Sequence, residues 1–406
     1  MTKKKVLFIS AGIYPIPANM GGAVEELIDV FAENNRKHGR FDVSVASCRY
    51  GGKEIKRKVE GVKYRYFRTP LYVKVKDKIY HFYSEKILKD WKSLFRQNYY
   101  KGRHYIEQIV KKTDLREFDV IVVENNMSLL KTLSDALGDD YSKKCMYHMH
   151  SNLIDNEEMI PYLARARKIL AVSDFVKNLL YDTVPQFKDT QIEKVGNGIK
   201  IEKLEPKNER EIRTAVRNEY SIKEDETVFL FCGRVSPEKG VLEMTKAYAA
   251  AIPELGRSKL MIVGSGLSGS NKETYYYKQI KKIAREHPNN VILTGYVNHG
   301  EVHKYHVAAD ALVVPSIMDD PAPLTVLEGM SRGMYLLLSN VGGIPEYTRS
   351  YENKIMFERD DDFEQNIRSA MLKFYGEYSA AGYERKPVYF DDAQYYENLA
   401  EAIDVD

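Results

Sequence analysis

Short apolar runs alternate with helix-like segments along most of the chain, and this alternation constrains the fold more than any other feature. The first half contains strand-like runs at KVLFIS, FDVSVAS, DVIVVE, KCMYHMH and KILAVS. The second half repeats the pattern at TVFLFCG, KLMIVGSG, NVILTGYV, ALVVPS and YLLLSNVGG. Strands that alternate with helices indicate a parallel sheet with helices on both faces. We therefore predict an α/β protein with two Rossmann-like, doubly wound parallel-sheet domains.

The domain boundary is predicted from length and local composition. A chain of 406 residues is too long for one ordinary core and fits two domains of roughly 200 residues each. Residues 200–222 are highly charged and contain no run that resembles a buried strand. We predict an N-terminal domain over residues 1–200 that is joined by a C-terminal helix over 388–406. The second domain is then expected over 201–387.

Charge and cysteine content exclude several classes of protein. The net charge of +3 gives no strong case for a nucleic-acid partner. Cys48, Cys145 and Cys232 are odd in number and far apart, so we expect reduced, buried thiols in a cytosolic protein. The apolar run near the N-terminus is too short for a signal peptide or a membrane span. A cytoplasmic protein, soluble or peripheral to a membrane, is the expectation.

Residues 53–112 form the most basic stretch, with 18 lysines and arginines against 6 acidic residues, and aromatic residues are interspersed. One interpretation is an inserted, helix-rich segment with a solvated basic face. A second is a surface that contacts anionic lipid head groups, which would place the protein at the inner face of the plasma membrane. An RNA-binding surface ranks last, because the stretch contains no recognisable nucleic-acid motif.

The segment VFLFCGRVSPEKGV places two cations just after a buried strand. Gly233 permits a tight turn, and Arg234 and Lys239 follow in the loop. Ligands of doubly wound sheets bind at the carboxyl ends of the strands. Arginine offers a fork of donors and lysine a point charge, a combination suited to phosphate oxygens. A pair of solvated surface cations is the alternative interpretation.

A longer motif, VVPSIMDDPAPLTVLEGMSRGMYLLLSNVGGIPEY, combines an acidic loop with a helix predicted from about Leu324. Asp320 lies in the loop, and Glu328 lies two turns inside the helix. The N-terminus of this helix can offer amide donors to a phosphate or a sugar hydroxyl. The glycines of IVGSG, Gly264 and Gly266, allow a backbone approach to a nucleotide, but one Gly-x-Gly is a weak signal. Asp360–Asp362 matches a metal-binding DxD pattern, yet it is predicted to begin a helix.

These motifs, in this order, resemble the retaining glycosyltransferases of family four, over essentially the whole chain. The resemblance implies the GT-B fold, in which two Rossmann-like domains face a central cleft. Features of polysaccharide-biosynthesis and spore-coat members are seen in GGAVEE and YHMHSN. The matching elements are Gly21-Gly22, Asn197-Gly198-Ile199, Gly233-Arg234, Glu238-Lys239-Gly240, Asp320 to Glu328, and Gly342 to Glu346.

The resemblance also implies a role for each matching position. Arg234 and Lys239 would bind the donor diphosphate, Glu328 the ribose hydroxyls, and Asp320 the donor sugar. His150, rather than His148 two residues earlier, would act at the cleft. The other donor-binding positions would be Gly21, Gly22, Gly264, Gly295, Tyr296, Val297, Pro323, Leu324 and Thr325. Ser173 would cap a helix at the cleft edge, with Lys177 nearby.

Two departures from the family pattern fall on the donor-sugar pocket. Asp320 stands where glutamate is usual, and Pro323 where glycine is usual. Aspartate is one methylene shorter, and proline lacks an amide donor. Both changes leave the identity of the sugar open, and they mildly affect the expected geometry of transfer.

The implied activity is transfer of a hexose from a UDP- or GDP-sugar to a glycan or lipid-linked glycan, with retention and without a metal or other cofactor. Two alternatives remain: a non-catalytic nucleotide-sugar-binding partner of a transferase, and a GT-B nucleotide-sugar epimerase. A NAD dehydrogenase is disfavoured, because neither half contains a convincing Gly-x-Gly-x-x-Gly followed by an acidic residue about 20 positions later.

Overall fold

The computed structural model describes residues 3–18, 22–49, 55–59, 61–86, 99–152, 157–184, 187, 191–200, 204–266, 273–379 and 383–405. The chain divides into two units. Unit 1 comprises Met1–Asn197 with Asp392–Asp406, and unit 2 comprises Gly198–Asp391. No helix in the described part of the chain combines the length and the apolar character that crossing a bilayer requires.

Unit 1 is built on one sheet in the order β3-β4-β2-β1-β5-β6-β7-β8, parallel except for the β3–β4 pair. Its strands are β1 (Lys4–Ile9), β2 (Phe41–Arg49), β3 (Ile55–Val59), β4 (Val62–Arg68), β5 (Val120–Glu124), β6 (Cys145–Met149), β7 (Lys168–Ala171) and β8 (Ile192–Lys194). Its helices are α1 (Ala23–His38), α2 (Leu71–Lys86), α3 (Tyr99–Lys112), α4 (Leu130–Leu137), α5 (Tyr141–Lys144), α6 (Ile160–Ala164), α7 (Asp174–Thr183) and α15 (Asp392–Asp404).

Unit 2 has a parallel sheet in the order β11-β10-β9-β12-β13-β14. Its strands are β9 (Thr227–Cys232), β10 (Ser258–Val263), β11 (Val291–Gly295), β12 (Ala311–Val314), β13 (Tyr335–Ser339) and β14 (Lys354–Phe357). Its helices are α8 (Pro206–Glu219), α9 (Val241–Leu255), α10 (Tyr275–Glu286), α11 (His299–Ala308), α12 (Leu324–Ser331), α13 (Ile344–Tyr347) and α14 (Phe363–Phe374). Counted from β9, this is the 3-2-1-4-5-6 order of dinucleotide-binding folds.

The strands of unit 2 are apolar at consecutive positions because both faces of the sheet are covered. Phe229 and Phe231 of β9 pack on one face with residues of α9 and α14. Val228 and Leu230 point to the opposite face and pack with residues of α12. Burying each such side chain contributes about 1.5–3 kcal/mol relative to leaving it exposed. The predicted pair of α/β, parallel-sheet domains is confirmed.

Helix α1 shows how local sequence sets an element's end. Gly39, directly after the helix, has φ +64° and donates its N–H to the Asn35 carbonyl at 2.6 Å. Only glycine adopts this left-handed conformation without cost, so the helix ends at His38. The Asp360–Asp362 motif lies at the start of a helix, as predicted, because Asp362 directly precedes α14. Asp360 Oδ1 accepts hydrogen bonds from the Asp362 amide and from Asn366.

The basic stretch 53–112 contains two strands as well as two helices in its described part. Its described part begins with the antiparallel β3–β4 hairpin, which extends the sheet of unit 1, and only then continues into α2 and α3. Val62, Tyr64 and Phe67 of β4 are buried, whereas Lys63 and Arg68 are exposed. Val62 and Tyr64 point to one face of the strand, whereas Phe67, an odd number of residues away, points to the other face and packs edge-on against Tyr105 of α3. Residues 53, 54, 60 and 87–98 lie outside the described residues.

Candidate functional site

The strand order of unit 2 reverses between β9 and β12, which is where doubly wound sheets bind ligands. Gly233, directly after β9, has φ +148°, and Gly264, directly after β10, has φ +138°. A Cβ atom on Gly264 would lie 1.9 Å from the Gly233 carbonyl oxygen. Both positions therefore require glycine, and the two loops meet backbone to backbone at the carboxyl edge of the sheet.

The loop after β9 carries Arg234 and Lys239, as predicted. Arg234 Nη2 donates to Glu238 Oε1 at 2.7 Å, with about half of the arginine side chain exposed, and Ser236 Oγ donates to the same oxygen. Lys239 Nζ forms an ion pair with Asp320, which comes from the loop after β12. The structure thus brings Lys239 and Asp320 together across the switch point, while Arg234 lies on the same loop.

Gly240 explains why this loop lies so close to the end of β12. It has φ +64°, and a Cβ atom there would be 1.9 Å from the Pro315 carbonyl oxygen. The Ile317 amide donates to the Glu238 carbonyl at 2.9 Å, which ties the two loops together. The Glu-Lys-Gly element therefore supplies charged side chains to the loop, and its glycine allows the two backbones to pack closely.

Helix α12 begins as predicted at Leu324, with Pro323 at its N-cap position. Leu324 and Thr325 are its first two residues, so their amides have no acceptor within the helix. Glu328 lies one turn inside the helix, not two turns as predicted, because it is only four residues from Leu324. Its side chain is about one-fifth exposed, and His306 Nε2 is 3.9 Å from Glu328 Oε2. Burial lowers the pKa of His306 to about 3, so this imidazole is neutral and the contact is not an ion pair. His306 was not among the residues predicted from the sequence.

The predicted base-contacting segment begins at Gly295, the last residue of β11, and continues to Val297. Gly295 has φ +74°, and its carbonyl accepts the Gly264 amide at 3.0 Å. Tyr296 and Val297 are half-buried. Glycines at the carboxyl ends of three neighbouring strands, β9, β10 and β11, are therefore in backbone contact at one edge of the sheet.

In unit 1, Gly21 lies outside the described residues, whereas Gly22 directly precedes α1. Gly22 has φ +120°, and a Cβ atom there would be 2.3 Å from Glu25 Oε2. Glu25 is buried, its Oε1 accepts the Tyr14 amide at 3.4 Å, and burial raises its pKa to about 7. The sequence analysis did not select Glu25.

The predicted histidines of unit 1 converge on a carboxylate that the sequence analysis also missed. Glu124 Oε2 lies 2.9 Å from His150 Nε2 and 3.2 Å from His148 Nδ1, and the two rings are 4.0 Å apart. Burial alone would raise the pKa of Glu124, but the interactions with His148 and His150 lower it to about 2. Burial lowers the pKa of His150 to about 4, so its ring is neutral at pH 7. The available signal was the position of Glu124 at the end of a buried strand next to β1, at the switch point of this sheet.

The same three side chains place one oxygen and two nitrogens within 4.8 Å of one another, a donor set that can ligate a divalent cation. Hydrogen bonding explains these distances equally well.

Ser173 caps α7 as predicted, because its Oγ accepts the Val176 amide at 3.2 Å.

A cavity of about 490 Å³ lies at the opposite, amino-terminal edge of the unit 2 sheet. Arg213 fills part of its wall, donating to Asp310 Oδ1 at 2.7 Å and to the Ala308 carbonyl at 3.0 Å. These contacts satisfy the C-terminal carbonyls of α11, so we attribute them to stability. None of the residues predicted to bind the donor lines this cavity.

Comparisons with known proteins identify similar sequences and a similar fold. Residues 212–379 match the family model of glycosyl transferases group 1. The chain is similar to the lipopolysaccharide 1,2-N-acetylglucosaminetransferase of Salmonella typhimurium, with 26% identity over 85% of this chain and 82% of that protein. It is also similar to the putative glycosyltransferase YtcC of Bacillus subtilis, with 23% identity over 85% and 77% of the two chains.

A crystal structure of Anabaena Alr3699/HepE in complex with UDP and glucose has a similar fold. The TM-score is 0.66 at 17% identity, and the match covers 98% of this chain and 99% of that one. The GT-B fold predicted from the sequence is thereby confirmed. Together, the fold and the family match over residues 212–379 support a glycosyltransferase of the GT-B fold.

Proposed function

We propose that this protein transfers a hexose from a UDP- or GDP-sugar to a glycan or lipid-linked glycan in cell-surface polysaccharide biosynthesis. The observation that carries the proposal is the charge arrangement at the switch point of unit 2. Two cations, Arg234 and Lys239, lie on one loop at the carboxyl edge of the sheet, and Asp320 lies beside the second. Cations at this edge suit a diphosphate, and a carboxylate beside them suits the hydroxyls of the attached sugar.

In the proposed reaction, the bond between the anomeric carbon and the diphosphate oxygen breaks while the acceptor hydroxyl forms the new bond. The sugar gains oxocarbenium character, and negative charge develops on the departing diphosphate. Arg234 and Lys239 stabilise that charge, a type of interaction worth roughly 2.7–4 kcal/mol per preorganised donor. The acceptor attacks from the side on which the diphosphate departs, so configuration is retained, and its proton passes to the leaving phosphate. These cations take the place of a metal ion.

The choice of donor and acceptor is supported by the similar proteins. The Salmonella relative is named for transfer of N-acetylglucosamine onto lipopolysaccharide, and the HepE structure contains UDP. A uridine nucleotide is therefore the first donor to test, with GDP-sugars second. Asp320 and Pro323, which depart from the family pattern, are the residues that we expect to discriminate one donor hexose from another.

The outer face of α2 supports a contact with a membrane that would carry a lipid-linked acceptor. Val73 and Asp77 of this helix are buried. Its opposite side carries a row of exposed large apolar side chains: Leu71, Tyr72, Val75, Ile79, Phe82 and Tyr83. At 3.6 residues per turn, these six positions span an arc of about 120°. An apolar arc that faces away from the core is suited to the interface of a lipid bilayer.

Lysines flank the apolar arc of α2 on both sides. Lys76 lies beside one edge, and Lys74 and Lys78 lie beside the other, all three exposed. Lysine stems can lie along apolar surface while their ammonium groups reach anionic head groups. We therefore assign residues 53–112, and α2 in particular, a peripheral contact with the inner face of the cytoplasmic membrane.

The experiment that tests the proposed function is thermal-shift binding against a panel of nucleotides and nucleotide-sugars. A ligand present at 100 times its Kd should add about 2.7 kcal/mol of stability. Arg234→Ala and Lys239→Ala should lose this shift, whereas Lys246→Ala, which removes an exposed, ion-paired lysine of α9, should retain it. A panel that leaves the wild type unshifted would contradict the proposal. Donor binding without transfer or hydrolysis would instead favour the non-catalytic partner.

A further inference from the structure

Glu124 has no role in the function proposed above, yet it is one of the most completely buried charged side chains in unit 1. It is 1% exposed and ends β5, where the register pairs it directly with His148 of β6. His148 and His150 are two residues apart along the chain, so both project to the same side of the sheet. All three side chains therefore meet at the carboxyl edge of the sheet.

The proton positions in this cluster follow from elementary hydrogen-bond chemistry. An ionised carboxylate only accepts hydrogen bonds, so each nitrogen in contact with Glu124 must carry the hydrogen. For His150 this nitrogen is Nε2, at 2.9 Å. In the neutral ring, the other nitrogen, Nδ1, then has a lone pair and can only accept. The hydrogen bonds recorded for the described residues leave the His150 Nδ1 atom without a protein partner.

The backbone of His150 is held as firmly as its ring. Asn125, which follows Glu124, has the left-handed φ of +44°. Its Oδ1 accepts hydrogen bonds from the His150 amide at 3.0 Å and from Ser151 Oγ at 2.9 Å. The segment Glu124–Asn125 thus fixes His150 at two points, and this leaves the ring one orientation.

We propose that Glu124 is a positioning residue that fixes His150 as the Nε2–H tautomer and so presents Nδ1 as a hydrogen-bond acceptor for a sugar hydroxyl. The proposal rests on the function proposed above, because it requires a hydroxylated substrate. It narrows the substrate class: the sugar or acceptor must offer a hydroxyl donor to this nitrogen. A deoxy analogue that lacks the hydroxyl should lose the interaction.

The first test is nitrogen NMR of the wild-type protein with ¹⁵N-labelled histidine, which does not depend on any activity. Nine histidines are present, and His150→Asn assigns the signal. We expect a protonated Nε2 and an unprotonated Nδ1 on His150. Glu124→Gln, whose amide can also donate, should shift His150 toward the Nδ1–H tautomer. Glu107→Gln, which alters an exposed carboxylate of α3, should leave the His150 spectrum unchanged.

The second test separates positioning from folding by kinetics. Removing the hydrogen-bond partner that orients a metal-bound histidine typically costs about 10- to 100-fold, and we expect Glu124→Gln, which alters the same kind of contact, to lower kcat/KM by about that factor. Binding of UDP alone should be unaffected, because Arg234, Lys239 and Glu328, which are predicted to bind the diphosphate and the ribose, lie in unit 2. Unchanged kcat/KM in folded Glu124→Gln, or an Nδ1–H signal in the wild type, would overturn the proposal.

A metal ion is the competing explanation, and the same protein distinguishes it. Stoichiometric zinc bound to the wild type and absent from Glu124→Gln, together with activity that a chelator abolishes, would replace the positioning role with a metal site. If no donor binds at all, the proposed function fails, but the histidine spectrum still reports whether Glu124 sets the tautomer.

Discussion

Gly342 lies directly against the backbone of Asp320. A Cβ atom at Gly342 would be 2.3 Å from the Asp320 carbonyl oxygen and 2.6 Å from its amide nitrogen, and the Gly343 amide donates to that carbonyl at 2.8 Å. Asp320 in turn pairs with Lys239. The two glycines after β13 therefore hold the loop that carries the acidic residue of the proposed donor site.

Gly342→Ala should consequently weaken both folding and donor binding. The position has φ +59°, where an L-residue costs roughly 1–2 kcal/mol, and the added methyl group would overlap backbone atoms, at a further cost of about 1–3 kcal/mol. Gly300→Ala is the matched control, because Gly300 is exposed in α11 with nothing within 4 Å of its Cβ position. Thermal unfolding and UDP-sugar titration measure the two effects. Equal stability of both variants would contradict this packing argument.

Glu238→Gln should strengthen nucleotide-sugar binding. In the structure, Glu238 accepts a hydrogen bond from Arg234, so a diphosphate must compete with it for that guanidinium. Exposed ion pairs are worth up to about 1 kcal/mol, which corresponds to at most about a fivefold decrease in Kd. Glu364→Gln, which frees Lys246 instead, should leave the Kd unchanged. Weaker binding by Glu238→Gln would mean that Glu238 orients Arg234 toward the ligand.

The charges of the donor site could be predicted because they lie next to strands that are obvious in the sequence. The run TVFLFCG identifies a buried strand, and any residue within a few positions of its end must lie at the sheet edge. The positions of Arg234 and Lys239 could therefore be predicted without knowledge of the tertiary structure. The start of α12 at Leu324 was equally accessible, because a proline precedes it and an apolar helix pattern follows.

Contacts between side chains on paired strands could not be predicted in this way. Glu124 contacts His148 because β5 and β6 pair in one register, and a shift of one residue would place the carboxylate on the other face. Glu25 was missed for a similar reason: a glutamate in the first turn of α1 looks like an ordinary solvated residue that favours the helix dipole. In the structure, its Oε1 accepts a hydrogen bond from the Tyr14 amide, which lies eleven residues earlier and outside the helix.

Glu25 should make the stability of unit 1 depend on pH. Its folded pKa, about 7, is above its unfolded value of 4.5, so the native state binds more protons between these values. Its contribution is therefore fully present below pH 4.5 and is lost as the pH rises to about 7. At 1.36 kcal/mol per pKa unit, ionisation costs up to roughly 3 kcal/mol. Glu25→Gln should thus be more stable than wild type at pH 8 and closer to it at pH 5.

Thermal unfolding of the two proteins at pH 5, 6.5 and 8 measures this difference. Glu26→Gln changes the neighbouring, half-buried carboxylate in the same turn of α1 and provides the control. A stability difference for Glu25→Gln that does not grow between pH 5 and 8 would mean that Glu25 is ionised throughout that range.

The outer face of α2 predicts binding to anionic vesicles through two separable contributions. Ile79 and Phe82 are 64% and 61% exposed, and each would bury apolar area in a bilayer interface. Replacing either with glutamate should remove about 1.5–3 kcal/mol, or roughly 10- to 100-fold in partitioning, from vesicles of any charge. Lys76→Glu should instead reduce binding only when the vesicles contain anionic lipid, by about fivefold or more, since each cation contributes about 1 kcal/mol there.

Co-sedimentation with phosphatidylcholine vesicles, with and without phosphatidylglycerol and at low and high salt, separates the two contributions. Tyr275→Glu changes an 81% exposed aromatic residue of unit 2 and should bind as the wild type does. Failure of the wild type to bind anionic vesicles at low salt would exclude a membrane role for α2. If Tyr275→Glu lost as much binding as Ile79→Glu, α2 would not be the specific contact with the membrane. Exposed side chains that lack the flanking lysines of α2 would then be sufficient for vesicle binding.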